Sequence, residues 1–135
     1  MDRSLDSAFW PLKAALAARS NLRLAVLFGS RATGRARESS DFDVGILPVA
    51  PLTLREELAL AVALSAAVGR EVDVVRLDTA DPLVGREVAQ TGVCLLESEP
   101  GAFAAFRATA MSHWADFEET IAPHRSRFLR RLATR

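Results

Sequence analysis

Five residues could carry chemistry in this sequence: Gly29, Ser30, Asp41, Asp43 and, thirty positions further on, Asp73. Residues 27–46 read LFGSRATGRARESSDFDVGI. An apolar run delivers the chain to Gly29 and Ser30, and a polar, arginine-rich segment leads to two carboxylates spaced two apart. On a β-strand that spacing puts Asp41 and Asp43 on one face, because successive side chains alternate. Two like charges so placed repel unless a cation lies between them. A divalent ion suits the position, since Mg²⁺ takes a few carboxylates together with substrate phosphate oxygens. The plainer alternatives are a solvated strand entrance or a salt bridge to Arg35 or Arg37. Gly29 has no Cβ to hold a phosphate off. Ser30 offers a hydroxyl, and amides at a helix N-terminus favour anions; the plainer reading of the pair is a turn with an N-cap. Asp73 sits in the alternation Glu71, Val72, Asp73, Val74. It is either a third carboxylate on the same face, serving as metal ligand and as base for an attacking hydroxyl, or an exposed strand residue. Taken together, the residues suggest a nucleoside triphosphate site.

Elements must position these side chains, and the hydropathy pattern supplies them. Apolar residues at helical spacing predict a first helix over 5–18, with Pro11 as its start or a bend. Residues 22–28 predict a strand, continuous enough from Leu24 to be buried on both faces. A short helix is expected at 31–36 and a second strand at 43–49. Thr53 and Glu56 form a capping-box pattern that opens a helix running to Val68 and stopping at Gly69. A third strand is expected at 71–77. Asp81-Pro82 then reads as an N-cap with proline at the first helical position, opening a helix to about Thr91 closed by Gly92. A fourth strand follows at 93–96. The last element is a helix from Pro100 with Phe103, Phe106, Trp114 and Phe117 along it, broken or kinked at Pro123. The aromatic stripe is read as the helix face that covers the sheet, the alternative being a partner-binding surface. Strands alternating with helices give an α/β or α+β fold class.

Composition narrows the classes. At 135 residues the chain is read as a single domain, with a core at about 20–97 and a C-terminal helical segment at about 100–132. The formal net charge is zero, so there is no global case for nucleic acid or an anionic membrane surface. Only Lys13 is lysine among seventeen basic residues, and this bias weakens any single arginine as a functional signal. Cys94 is the sole cysteine and lies in an apolar run, which excludes an internal disulfide and a cysteine metal cluster. Asp2 and Asp6 with no uninterrupted apolar run argue against a signal peptide, and no run reaches the length of a membrane span. The expected location is the cytoplasm.

The spacing Gly29-Ser30, ten residues, Asp41-x-Asp43, with Asp73 on a later strand, resembles the nucleotidyltransferase superfamily related to DNA polymerase β. Within it, Gly-Ser-Arg-Ala-x-Gly-x-Ala followed by Ser-Asp-x-Asp is similar to the minimal nucleotidyltransferases. Thr33 and Phe42 are modest departures from the pattern. The resemblance covers about residues 20–97. It implies a mixed sheet with helices on one side and catalysis by two Mg²⁺ ions. By position, Asp41 and Asp43 would bind metal and bridge it to the triphosphate. Asp73 would complete the metal site, Gly29 and Ser30 would hold the phosphates, and Arg31 could contact them. ATP is the implied substrate.

The acceptor is less directly legible. About forty residues follow the core, too few for a second acceptor-binding domain, so the acceptor is expected on another macromolecule. Minimal nucleotidyltransferases resemble antitoxins paired with HEPN-family ribonuclease toxins, which transfer AMP to a tyrosine of the toxin. This chain contains no tyrosine and cannot be that acceptor. A HEPN toxin is therefore the expected partner, in a hetero-oligomer, with no membrane or direct nucleic-acid contact. Two alternatives stand beside it: an antitoxin that neutralises by binding alone, and a small-molecule nucleotidyltransferase of the antibiotic-modifying type. Arg107 and His113 match the loose R-x₄₋₆-H signature of HEPN ribonucleases, but the chain lacks the all-helical pattern of that fold.

Overall fold

The computed structural model describes residues 3–19, 21–34 and 41–133. Helix α1 (Arg3–Ala17) runs through Pro11 without a break. It leads into β1 (Leu22–Phe28), the short α2 (Ser30–Thr33), β2 (Phe42–Pro48), α3 (Leu54–Val68), β3 (Val72–Arg76), α4 (Pro82–Thr91) and β4 (Val93–Glu97). Helix α5 (Ala102–Ile121) ends two residues before Pro123; a single 3-10 turn and α6 (Arg125–Ala133) follow it. The expected helix at 31–36 is thus shorter and one residue earlier where described, and Ala36 lies outside the described residues.

The four strands form one sheet in the order β3-β2-β1-β4. Strand β1 pairs antiparallel with β2 and with β4, whereas β2 and β3 are parallel, joined by the α3 crossover. The parallel register aligns Phe42 with Val72, Asp43 with Asp73 and Val44 with Val74. It is tied at its start by the Phe42 amide donating to the Glu71 carbonyl (3.1 Å). A second tie comes from the helix above: the Val72 amide donates to Ser65 Oγ (3.0 Å), whose hydroxyl donates to the Ala61 carbonyl (2.7 Å).

Alternation along the central strands decides where the helices go. Leu22, Ala25 and Leu27 of β1 and Val44 and Ile46 of β2 face one side, where they pack with Leu12 and Leu16 of α1 and Leu60 and Leu64 of α3. Leu24, Val26 and Phe28 face the other side, with Leu77, Val88 of α4 and Ala102 of α5. The expectation of helices on one side only is therefore corrected. With Leu24 to Phe28 all buried, both faces of β1 need a cover, and helices provide it on both. Phe103 and Phe106 pack against the second core, as the covering-face reading of α5 requires. Further along, Trp114 lies against Phe117 (centroids 5.7 Å) and beneath the Arg86 guanidinium from α4 (4.7 Å).

Two helix starts follow from local sequence. Thr53 Oγ1 accepts from the Glu56 amide (3.1 Å) while Glu56 Oε1 accepts from the Thr53 amide (3.0 Å), a complete capping box. Asp81 Oδ1 accepts from the Leu83 and Val84 amides at 2.9 and 3.1 Å. Gly92 closes α4 for a different reason from the one its position suggests. Its φ is −67°, open to any residue, but a Cβ there would strike the Val88 carbonyl oxygen and lie 2.5 Å from Val26 Cγ1. Closeness of helix to sheet, not left-handed backbone, requires glycine here.

Candidate active site

The residues singled out from sequence converge on one end of the sheet: the C-terminal end of β1 and the N-terminal ends of β2 and β3. Strand β1 ends at Phe28, which is in register with Asp43, and Asp43 is in register with Asp73. Asp43 and Asp73 therefore occupy adjacent strands on one rung, with backbones about 4.8 Å apart, on the face that α4 and α5 cover. Asp41 lies just before β2, on the same side by alternation, and is exposed, as is Asp73; Asp43 is half-buried. Of the pair expected to share a face, Asp43 lies within β2 and Asp41 one residue before its start.

Gly29 follows β1 with φ 78° and ψ −158°, a backbone region that is essentially closed to residues with a Cβ. An added Cβ would come within 2.5 Å of Asp43 Oδ2. The glycine thus does two things at once: it turns the chain sharply into α2, and it lets that turn lie directly against the carboxylate. Ser30 opens α2, which folds back on the turn; the Ala32 and Thr33 amides donate to the Gly29 carbonyl at 3.1 and 3.3 Å. Gly34 ends the helix in left-handed conformation, its amide donating to the Ser30 carbonyl. Arg31 stacks its guanidinium over the Phe42 ring, with Cζ 4.5 Å from the centroid. The proposed salt-bridge donors Arg35 and Arg37 lie outside the described residues.

The electrostatics are those of crowded negative charge. Burial pushes the Asp43 carboxyl up from the ordinary value of 3.8, and the charges of Asp73, Glu87 and Asp41 push it the same way. Among the described residues no cation forms an ion pair with Asp43 or Asp73. Glu87 was not singled out from sequence. Its only local signal is its place on α4, three residues from Val84 and so beside the face that meets the second core. That α4 crosses above β1 is a tertiary fact, and no spacing within the sequence expresses it.

Whether these carboxylates suit a metal ion can be judged from the donor set. Among the described residues no three His, Cys, Asp or Glu side chains form a ready-made cage. Mg²⁺ does not need one; it is held by one or two carboxylates, water and the phosphates of the substrate. Asp43 and Asp73 side by side, with no described cation paired to either and a glycine backbone beside Asp43, fit that mode of binding.

A second feature of the same sheet face is a cleft elsewhere. It encloses about 540 Å³ at the opposite end of the same sheet face, between Leu47, Leu77, the start of α4 and the first half of α5. Its mouth holds Arg23, Asp78, Asp81, Glu99 and His113. Leu47 is four residues from Asp43, about 13 Å along the strand, and the buried Leu77, Val88 and Val26 fill the space between. None of the sequence-predicted residues lines it. Arg107, half of the R-x₄₋₆-H match, stacks on Phe103 (5.4 Å), one turn back on α5.

A mixed sheet whose central strand ends in a glycine–serine turn, laid against carboxylates on the next two strands, is the architecture of a nucleotidyltransferase. The family model described as polymerase beta, nucleotidyltransferase matches residues 11–100, and the chain belongs to that family. Among solved structures, a candidate minimal nucleotidyltransferase is 31% identical over 69% of this chain and 95% of that one, with a TM-score of 0.57. A toxin–antitoxin crystallised with AMP-PNP is 22% identical over 88% of this chain and 96% of that one, with a TM-score of 0.78. A chain from the complex of a tri-AMPylated Shewanella oneidensis HEPN toxin with its MNT antitoxin is 20% identical, over 93% and 98%, with a TM-score of 0.75. Among curated protein sequences none matches this chain significantly. No described helix is long and apolar enough to cross a membrane.

Proposed function

We propose that this protein is a Mg²⁺-dependent nucleotidyltransferase that moves AMP from ATP to a tyrosine hydroxyl on a HEPN-family ribonuclease toxin, acting as that toxin's antitoxin in the cytoplasm. The observation that carries the reading is the rung on which Asp43 and Asp73 stand together, with Gly29 against Asp43. In this reading Asp41 and Asp43 hold Mg²⁺ and through it the triphosphate, and Asp73 completes the metal site beside the acceptor hydroxyl. Gly29 gives the β- and γ-phosphates close access to backbone, and Ser30 donates its hydroxyl to them.

The chemistry is an in-line displacement. The tyrosine oxygen forms a bond to the α-phosphorus, the bond from that phosphorus to the bridging oxygen of pyrophosphate breaks, and pyrophosphate leaves with the electron pair. The hydroxyl proton passes to Asp73, which is exposed and free to receive an acceptor. When bound, Mg²⁺ neutralises charge on the attacking and leaving oxygens. The acceptor belongs to a partner because this chain has no tyrosine. Support for the partner's class comes from the toxin–antitoxin complexes to which the fold is similar, one with AMP-PNP and one with a tri-AMPylated HEPN toxin.

The test is label transfer from α-³²P-ATP to the co-expressed HEPN protein, with and without Mg²⁺. Label on a toxin tyrosine that disappears in D41N/D43N is the expected result. Full toxin neutralisation by D41N/D43N would replace the enzymatic reading with neutralisation by binding alone. Transfer to a small molecule with no protein acceptor would replace the substrate class.

A further inference from the structure

Arg31 follows Ser30 directly, which invites the reading that it grips phosphate. Its described contact lies elsewhere. The guanidinium sits over the ring of Phe42, 4.5 Å from the centroid, and Phe42 is the residue between the two carboxylates Asp41 and Asp43. By strand alternation the Phe42 ring points away from them, into the core beneath α1 and α3, where it is 6% exposed. The ring therefore cannot touch a nucleotide bound on the carboxylate face.

The geometry points to Arg31 as a positioning residue that clamps the Gly29-Ser30 turn to the carboxylate strand. Three observations meet in it. First, α2 is one unit with the turn, closed by hydrogen bonds that the Ala32 and Thr33 amides donate to the Gly29 carbonyl and by the Thr33 hydroxyl, which donates to the same oxygen at 3.4 Å. Whatever holds α2 holds Gly29. Second, the approach of Gly29 to Asp43 leaves no slack, since even a methyl group there would meet the carboxylate at 2.5 Å. Third, Phe42 is itself fixed, by its core burial and by its amide on the Glu71 carbonyl. A cation resting on an anchored aromatic face ties the two arms of the site together across the segment that separates them. Ala32 of the same short helix packs against the cluster that contains Phe42.

This inference rests on the proposed transferase reading for its consequence, but not for its existence. The test is a double-mutant cycle with R31A, F42L and the pair, adding R31K as the conservative variant. The clamp predicts that R31A and F42L each lower kcat for AMP transfer about tenfold while KM for ATP stays within about twofold. The pair should be no worse than either alone, and R31K should recover most of the loss. If R31A instead raises KM for ATP while F42L does not, Arg31 is a phosphate ligand and the clamp is wrong. Multiplying effects in the pair would also overturn it. Amide hydrogen exchange supplies an arm free of activity: backbone amides of residues 30–34 and 42–44 should exchange faster in R31A and in F42L, with no further change in the pair. Should the wild type transfer no AMP to any HEPN partner, the functional reading fails, and the exchange arm still decides the clamp.

Discussion

At the acidic end of the sheet, Asp43 and Asp73 share a rung with no described cation paired to either. About 13 Å further along the same strands, the cleft end is also rich in carboxylates, yet each has a partner. Asp78 binds Arg76 (2.7 Å), Glu99 binds Arg23 (2.9 Å) and Asp81 caps α4. Just outside the cleft, Glu97 takes the Gly101 and Phe103 amides at the start of α5. The Arg76 contact holds the Asp78 carboxyl below the usual carboxylate range, whereas burial and neighbouring charge hold Asp43 above it. Among the described residues, the carboxylates of the cleft end are thus all partnered, whereas Asp43 and Asp73 have no ion pair. What marks the acidic end, among the described residues, is a carboxylate pair with no ion-pair partner beside a glycine turn.

The largest effect should separate the two ends by activity. D43N is expected to lower AMP transfer by about 10²- to 10³-fold, the scale of losing a group that stabilises transition-state charge. A105W, which fills the cleft, should leave transfer within about twofold; comparable losses in both variants would show that the cleft belongs to the site. Next come two glycines with left-handed φ, one at each end. G29A meets both backbone strain and the Asp43 carboxylate and should cost about 1–3 kcal/mol in denaturant unfolding, with loss of Mg-ATP binding. G101A has φ 86° but nothing within 4 Å of the added methyl, so it should cost no more than about 1 kcal/mol and leave binding intact. Equal costs would mean that the contact at Gly29 carries no weight.

The smallest effect is on stability against pH. A carboxyl whose pKa is raised on folding binds its proton more tightly in the native state, so its contribution falls as pH rises from below 3.8 through the raised folded value. D43N removes that penalty. Its thermal midpoint should exceed the wild type's at pH 7, and the gain should vanish near pH 3. Mg²⁺ should raise the wild-type midpoint and have little effect on D43N. A variant that is less stable at pH 7 would indicate that Asp43 has a cationic partner after all.

Much of this could be read from the chain, and the reasons divide by range. The capping box at Thr53 and the Asp81-Pro82 start are contacts within four residues, so sequence carries them almost whole. The shared face of Asp41 and Asp43 follows from alternation alone. Helices on both sides were also implied by the double burial of residues 24–28, but the family resemblance suggested one side, and the local signal proved the better guide. The charge of Glu87 acting on Asp43, and Arg31 over Phe42, depend on how α4 and α2 settle onto the sheet, which no local spacing expresses. Composition worked against Arg31 as well, since one arginine among sixteen attracts little notice.

The parallel pairing of β2 with β3 gives Ser65 an influence out of proportion to its chemistry. A strand slip of one residue would replace Asp73 on the site face by a valine from either side. The hydroxyl that receives the Val72 amide helps to forbid that slip. An unremarkable serine on a helix across the sheet from the carboxylate rung thereby acts as a spelling check on the proposed site, and drift at that position should be felt as a displaced Asp73 before it is felt as lost fold.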